Sequence, residues 1–188
     1  MNGYQCETHD VLTDDGYIVI AHRIVTGING PPVILQHGFL EASDNFLLLK
    51  ENSLAFLLAE AGYDVWMTNF RGNYYSRGHV KYDRSMTSYW NFSFHECGYY
   101  DIPAFIDKII LVTGYPQVFY IGHSMGTTAF IVMASSRPEY NAKIRAALLM
   151  AQVVITPSLN ELSFPMKMVI KYATTFCVSI FLVITLII

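Results

Sequence analysis

Five consecutive residues, Gly122-His123-Ser124-Met125-Gly126, have the types and spacing that an activated serine requires. The apolar run Val118-Phe119-Tyr120-Ile121 precedes them and the small residues Thr127-Thr128-Ala129 follow. A serine on a sharp strand-to-helix turn projects its hydroxyl clear of the sheet, and glycines at the flanking positions avoid clashes that side chains would make. The turn also places Ser124 at a helix N-terminus, where backbone N–H groups can stabilise an oxyanion. Acyl transfer through Ser124 is the chemistry implied. A Gly-Ser-Gly turn that merely joins strand to helix is the competing reading, and the flanking context disfavours it.

Oxyanion stabilisation in such an arrangement takes two backbone donors. One is the residue after the serine, Met125, and the other lies in the loop after an earlier strand. That loop follows Gln36-His37-Gly38, which makes Phe39 the second donor. Backbone donation leaves the Phe39 and Met125 side chains free to present apolar surface to an acyl chain. His37 is the first candidate for a general base, although no acidic partner is evident in the sequence. His123 is expected to point away from Ser124. His9, His22, His79 and His95 have no zinc spacing, and Cys6, Cys97 and Cys177 are expected to be free thiols. Arg71, between Asn69 and Asn73, is expected to brace a loop. No metal or organic cofactor is implied.

Positioning these residues needs a sheet with helical crossovers. Glu7 to Leu12 and Tyr17 to Ile24 are extended runs joined by Asp14-Asp15-Gly16, a hairpin signal. Val33 to Gln36, Tyr63 to Met67, Val118 to Ile121 and Ala146 to Met150 read as further strands. Asn52 to Ala61 is helical in pattern, with Gly62 past its end. Asp101 is placed to cap a helix that carries Pro103 in its first turn and closes at Gly114. Asn69 to His95 has no period and reads as a long loop with short helical pieces. The alternation predicts an α/β class with a parallel sheet and an antiparallel hairpin at one edge.

Composition narrows the function. The chain has 188 residues, 53% of them hydrophobic and 14% charged, against roughly 25% charged in an ordinary soluble domain. Such hydrophobicity excludes intrinsic disorder. A net charge of −3 with scattered basic residues argues against nucleic-acid binding.

Several runs together resemble one family. They are Tyr17 to Ile24, Leu35-Gln36-His37-Gly38, Ala61-Gly62-Tyr63-Asp64-Val65-Trp66 and Asn69-Phe70-Arg71-Gly72-Asn73. Trp90-Asn91-Phe92-Ser93-Phe94-His95-Glu96, Tyr100-Asp101-Ile102-Pro103-Ala104 and Tyr120-Ile121-Gly122-His123-Ser124 continue the series. From about Gly3 to Met150 the chain resembles the acid lipases, the family of gastric and lysosomal acid lipase. The resemblance implies an α/β-hydrolase fold, present as an incomplete N-terminal portion over residues 4–165. It implies a carboxylic-ester hydrolase acting on triacylglycerols or sterol esters, with Ser124 as nucleophile and the Phe39 and Met125 amides as the oxyanion hole. Two positions depart from the family pattern, Met125 in place of the usual Gln and His95 in place of Asp.

The family triad runs Ser, then Asp or Glu, then His along the chain. From Met125 to Ile188 there is no His and no Asp, and the only acids are Glu139 and Glu161. Little turnover is therefore expected of this chain alone. The alternative is a non-catalytic, membrane-associated lipase fragment or pseudoenzyme that at most binds lipid. The family is secreted or lysosomal, but the first residues, Met-Asn-Gly-Tyr-Gln-Cys-Glu-Thr-His-Asp, do not read as a signal peptide. Without one, the sequon Asn91-Phe92-Ser93 is expected to stay unused. After about Pro165 the likeness gives way to an apolar tail, 168–188, interrupted only by Lys171. Its length suits a transmembrane helix and a membrane location, with Lys167 and Lys171 on the cytosolic side. Its Ile, Val, Thr and Phe content suits strands equally.

Overall fold

Alternation of apolar runs with turn residues produces one mixed sheet flanked by helices. The computed structural model describes residues 4–152 and 184–187. The strands are β1 (Gln5–Leu12), β2 (Tyr17–Val25), β3 (Pro32–Gln36), β4 (Asp64–Asn69), β5 (Gly78–His79), β6 (Val118–His123), β7 (Ile144–Met150) and β8 (Ile184–Ile187). The helices are α1 (Leu54–Glu60), α2 (Phe94–Glu96), α3 (Ile102–Thr113) and α4 (Met125–Ser136), with a π turn at Cys97–Asp101 joining α2 to α3. The sheet order is β1-β2-β4-β3-β6-β7-β8, with β5 beside β2. The strands β4, β3, β6 and β7 are mutually parallel, while β1, β2 and β8 run antiparallel to their neighbours.

Each face of the sheet has its own core. Ile34, Trp66, Tyr120 and Leu149 pack with Phe105, Ile106 and Ile109 of α3 and with Ala129, Phe130 and Met133 of α4. On the other face Val33, Leu35, Val65 and Met67 pack with Ala55, Phe56 and Ala59 of α1. Every residue of β3 and β4 is buried. Burial on both faces is why these strands appear in the sequence as unbroken apolar runs.

Two expectations need correction. Asp101 caps no helix. It has helical backbone angles inside a longer helical run that starts at Phe94, where Ser93 and Glu96 form a capping box. The Asp101 side chain is fully buried and accepts from the Arg71 backbone N–H at 3.0 Å, Nε at 2.9 Å and Nη2 at 2.7 Å. The second correction concerns the tail. Rather than continuing one apolar helix to Ile188, residues Ile184–Ile187 pair with β7, Ile184 opposite Met150 and Ile187 opposite Ala147. The outer edge of β7 offers unpaired backbone groups, and an Ile- and Thr-rich segment suits a strand there. The rest of the tail and residues 153–165 lie outside the described residues. No helix among the described residues is long and apolar enough to cross a membrane.

Arg71 holds this part of the fold together. Besides Asp101 it donates to Asp15 from Nη1 at 2.5 Å and from Nη2 at 2.8 Å, and its guanidinium lies 4.0 Å from the Tyr17 ring centroid. The hairpin turn, the loop after β4 and the start of α3 thus meet on one buried cation. Arg71→Leu strands the Asp101 carboxylate in the core and is expected to cost about 3–5 kcal/mol of stability in urea denaturation. A loss below about 1 kcal/mol would rank the network with exposed ion pairs and refute this account.

Candidate active site

Ser124 stands between the last residue of β6 and the first of α4, as its flanking sequence predicts. Its backbone has φ 50° and ψ −116°, a conformation that non-glycine residues rarely adopt and that costs of order 1–3 kcal/mol. Hydrogen bonds fix it from both sides. The Ser124 N–H donates to the Met150 carbonyl at 3.0 Å, and its carbonyl accepts from Thr127 N–H at 2.9 Å and Thr127 Oγ1 at 2.6 Å.

The flanking glycines are required sterically. A Cβ on Gly126 would lie 2.7 Å from the Gln36 carbonyl oxygen and 2.9 Å from that of His37. A Cβ on Gly122 would lie 3.0 Å from the Gly126 carbonyl oxygen, which already accepts from the Tyr120 hydroxyl at 2.8 Å. The start of α4 therefore rests directly on the end of β3. That contact brings the loop after β3 to the serine: a Cβ on Gly38 would come within 2.9 Å of Ser124 Cβ.

Of the residues whose amides the sequence singles out, Met125 directly follows Ser124 and Phe39 follows Gly38, the residue packed against Ser124. Met125 is the first residue of α4, so its N–H has no acceptor within the helix. Gly38, Phe39 and Met125 all line a cleft of about 720 Å³, together with Phe70, Trp90 and Phe92. Phe39 and Leu40 are largely exposed at its mouth. The lining suits an apolar chain.

His37 is no base in this arrangement. It is almost wholly buried, its Nδ1 donates to the Gly38 carbonyl at 2.7 Å, and its Nε2 accepts from the Phe70 N–H at 3.1 Å. Asn73 Nδ2 also lies 3.2 Å from Nε2. Both nitrogens are occupied, and the backbone partners require the neutral ring protonated on Nδ1. Burial lowers its pKa, which keeps it neutral. The ring is a peg between the loop after β4 and the loop after β3.

The pairing of His123 was not foreseen. Its Nδ1 lies 3.1 Å from Glu41 Oε2, an oxygen that also accepts from the Gly38 N–H at 2.7 Å. The Glu41 hydrogen bond raises the His123 pKa against the opposing effect of burial. Glu41 is the residue that sequence reasoning missed. A single carboxylate in a loop gave the sequence no signal of this pairing, which forms only when the loop after β3 meets the end of β6. Among the described residues Cys6 and Cys97 are free, and no cluster of three His, Cys, Asp or Glu is placed to hold a metal ion. Cys177 lies outside the described residues.

Comparisons with known proteins agree with the fold. A family model of the α/β hydrolase fold matches residues 31–172, and one of a partial α/β-hydrolase lipase region matches residues 1–50. Lipase 1 of Drosophila melanogaster is 48% identical over 153 residues, which is 81% of this chain and 35% of that protein. Human gastric triacylglycerol lipase is 41% identical over 182 residues, 90% of this chain and 46% of that protein. The chain thus spans less than half the length of these curated relatives. Among solved structures, an epoxide hydrolase of Vigna radiata matches 92% of this chain and 45% of its own, with a TM-score of 0.56 and 23% identity, a likeness of fold. The chain belongs to the α/β-hydrolase fold family, and its relatives at 41 to 49% identity include Drosophila lipases and mammalian gastric triacylglycerol lipases.

Proposed function

We propose that this chain carries the acylation half of a carboxylic-ester hydrolase for lipid esters, with Ser124 as the nucleophile and the Phe39 and Met125 amides as the oxyanion hole. The observation that carries the reading is the strained elbow of Ser124, pressed against the loop of Gly38 and Phe39 at the edge of an apolar cleft. Attack by Oγ on an ester carbonyl forms a tetrahedral oxyanion, and in this reading the Phe39 and Met125 N–H groups are the backbone donors that stabilise it. Collapse breaks the acyl–oxygen bond of the ester, leaves the acyl group on Ser124 and releases the alcohol, with the Oγ proton lost to solvent and the leaving oxygen protonated from solvent. The apolar lining favours a fatty acyl chain, which suits a triacylglycerol or sterol ester as substrate.

Proton transfer is the weak element. From Met125 to Ile188 the sequence has no His and no Asp, and the two nearest histidines are committed elsewhere, His37 to backbone partners and His123 to Glu41. Losing the base histidine of a serine hydrolase costs about 10⁶ in turnover while leaving roughly 10³ to 10⁴ over water. Only that residual rate is expected of this chain alone. The occupied ring of His37 also favours a second reading, a lipid-ester-binding module without turnover.

An alkyl fluorophosphonate separates the two readings. Under the first, the chain is labelled slowly and stoichiometrically, and Ser124→Ala abolishes labelling. Equal labelling of both proteins would reject Ser124 as nucleophile and leave the binding module. The oxyanion assignment is tested at Phe39, because only its N–H is used. Phe39→Ala is expected to label at nearly the wild-type rate, whereas Phe39→Pro, which lacks the N–H, should be slower by about 10² to 10³. Equal rates for the two variants, in chains with matching circular dichroism, would exclude the Phe39 amide.

A further inference from the structure

Glu41 joins two elements that the chain separates by more than eighty residues. The loop after β3 brings Gly38 against Ser124, yet it contains Leu40 at φ 58°, a left-handed conformation that is unfavourable for leucine. A strained loop persists only where its surroundings over-determine it. Here the Glu41 carboxylate reaches back to the Gly38 N–H at 2.7 Å and across to His123 Nδ1 at 3.1 Å, the residue immediately before Ser124. The Asn45 side chain adds a further hydrogen bond to the same carboxylate. The half-buried carboxylate thus ties the loop that carries one oxyanion donor to the elbow that carries the nucleophile and the other donor.

We propose that Glu41, held by His123, is a positioning residue that sets the register of the Phe39 amide against Ser124. The role rests on the ester-hydrolase reading above and extends it to a residue outside the reacting atoms. It also has an electrostatic side. A carboxylate beside an oxyanion hole opposes negative charge developing there, and a protonated His123 cancels that opposition. Burial works to raise the Glu41 carboxyl, but its bonds to His123 and Gly38 outweigh burial and hold it below its ordinary pKa. Glu41 conversely holds the His123 pKa up. The other titratable groups near the pair are His37, locked neutral, and Asp44 in the following turn. The first turn of α4 (Met125 to Thr128) and Met150 of β7 contribute none.

Two readouts on the full chain test this, the Gly38 amide and His123 ring by NMR and the labelling of Ser124 by an alkyl fluorophosphonate. In Glu41→Ala the Gly38 amide should exchange with solvent roughly tenfold faster and Ser124 should label roughly tenfold more slowly, the scale of one lost charge-assisted hydrogen bond. Glu41→Gln keeps an acceptor for Gly38 and should restore both values. The titration of His123 should move to lower pH in both variants, because both lack the carboxylate. Wild-type labelling that is indifferent to Glu41→Ala, or Gly38 exchange that is unchanged by it, overturns the role of Glu41 alone. A wild type that labels no better than Ser124→Ala removes the ester-hydrolase reading and the positioning role with it.

Discussion

The contact of Gly126 with the carbonyls of Gln36 and His37 is the constraint on which the rest of the site depends. Helix α4 approaches β3 so closely that no side chain fits between them, and this proximity makes the Ser124 turn as tight as it is. The strain at Ser124 is offset by hydrogen bonds from Thr127 and to Met150, so the serine is held by α4 and β7 together. The same contact brings the loop after β3 under the serine. The Ser124 turn and the position of the Gly38 loop are therefore two consequences of one packing distance, and a side chain at position 126 would move both.

A polar network carries that arrangement outward from the sheet. Asn69, at the end of β4, accepts from the Ser43 N–H and from Asn73 Nδ2, and the Asn73 side chain reaches His37. His37 in turn donates to the Gly38 carbonyl. Below this layer Arg71 fixes the same loop through Asp101 and Asp15. Each of these groups is buried or half-buried, so losing any partner would leave another polar atom without one, at a cost of about 1–3 kcal/mol. The loop after β4 lacks regular structure but not rigidity.

Elements governed by local chemistry were legible in the sequence. The parallel strands are buried on both faces and so appear as continuous apolar runs, and the elbow declares itself through two glycines around a serine. Asp101 was misread because the rule for helix caps is local, whereas its partner Arg71 lies thirty residues away in the chain. The capping box of Ser93 and Glu96 was present in the sequence but straddles the end of the aperiodic stretch from Asn69 to His95. The Asn69, Asn73 and His37 network was illegible for the same reason as the Asp101 pair: its members meet only after β3 and β4 align. For Ile184–Ile187 composition allowed span or strand, and the open edge of β7 decides for strand. Glu41 escaped notice because one carboxylate in a loop carries no pattern.

Two ion networks lie near the site, one centred on Arg71 and one on His123, and the difference between their cations matches their places. Arg71 cannot lose its proton in any accessible range, so the network that holds the hairpin, the β4 loop and α3 has a cation independent of pH. The pair at the loop after β3 uses a histidine. With its pKa raised by Glu41, His123 contributes stability that is complete below its unfolded pKa and disappears as pH rises through the folded value. Glu41, lowered, contributes stability that is present above its unfolded pKa and is lost as pH falls through its folded value. Between those limits both groups are charged and the loop is tied most firmly. The frame of the site is thus built on a permanent cation, whereas the loop beside Ser124 rests on a cation that the solution can neutralise.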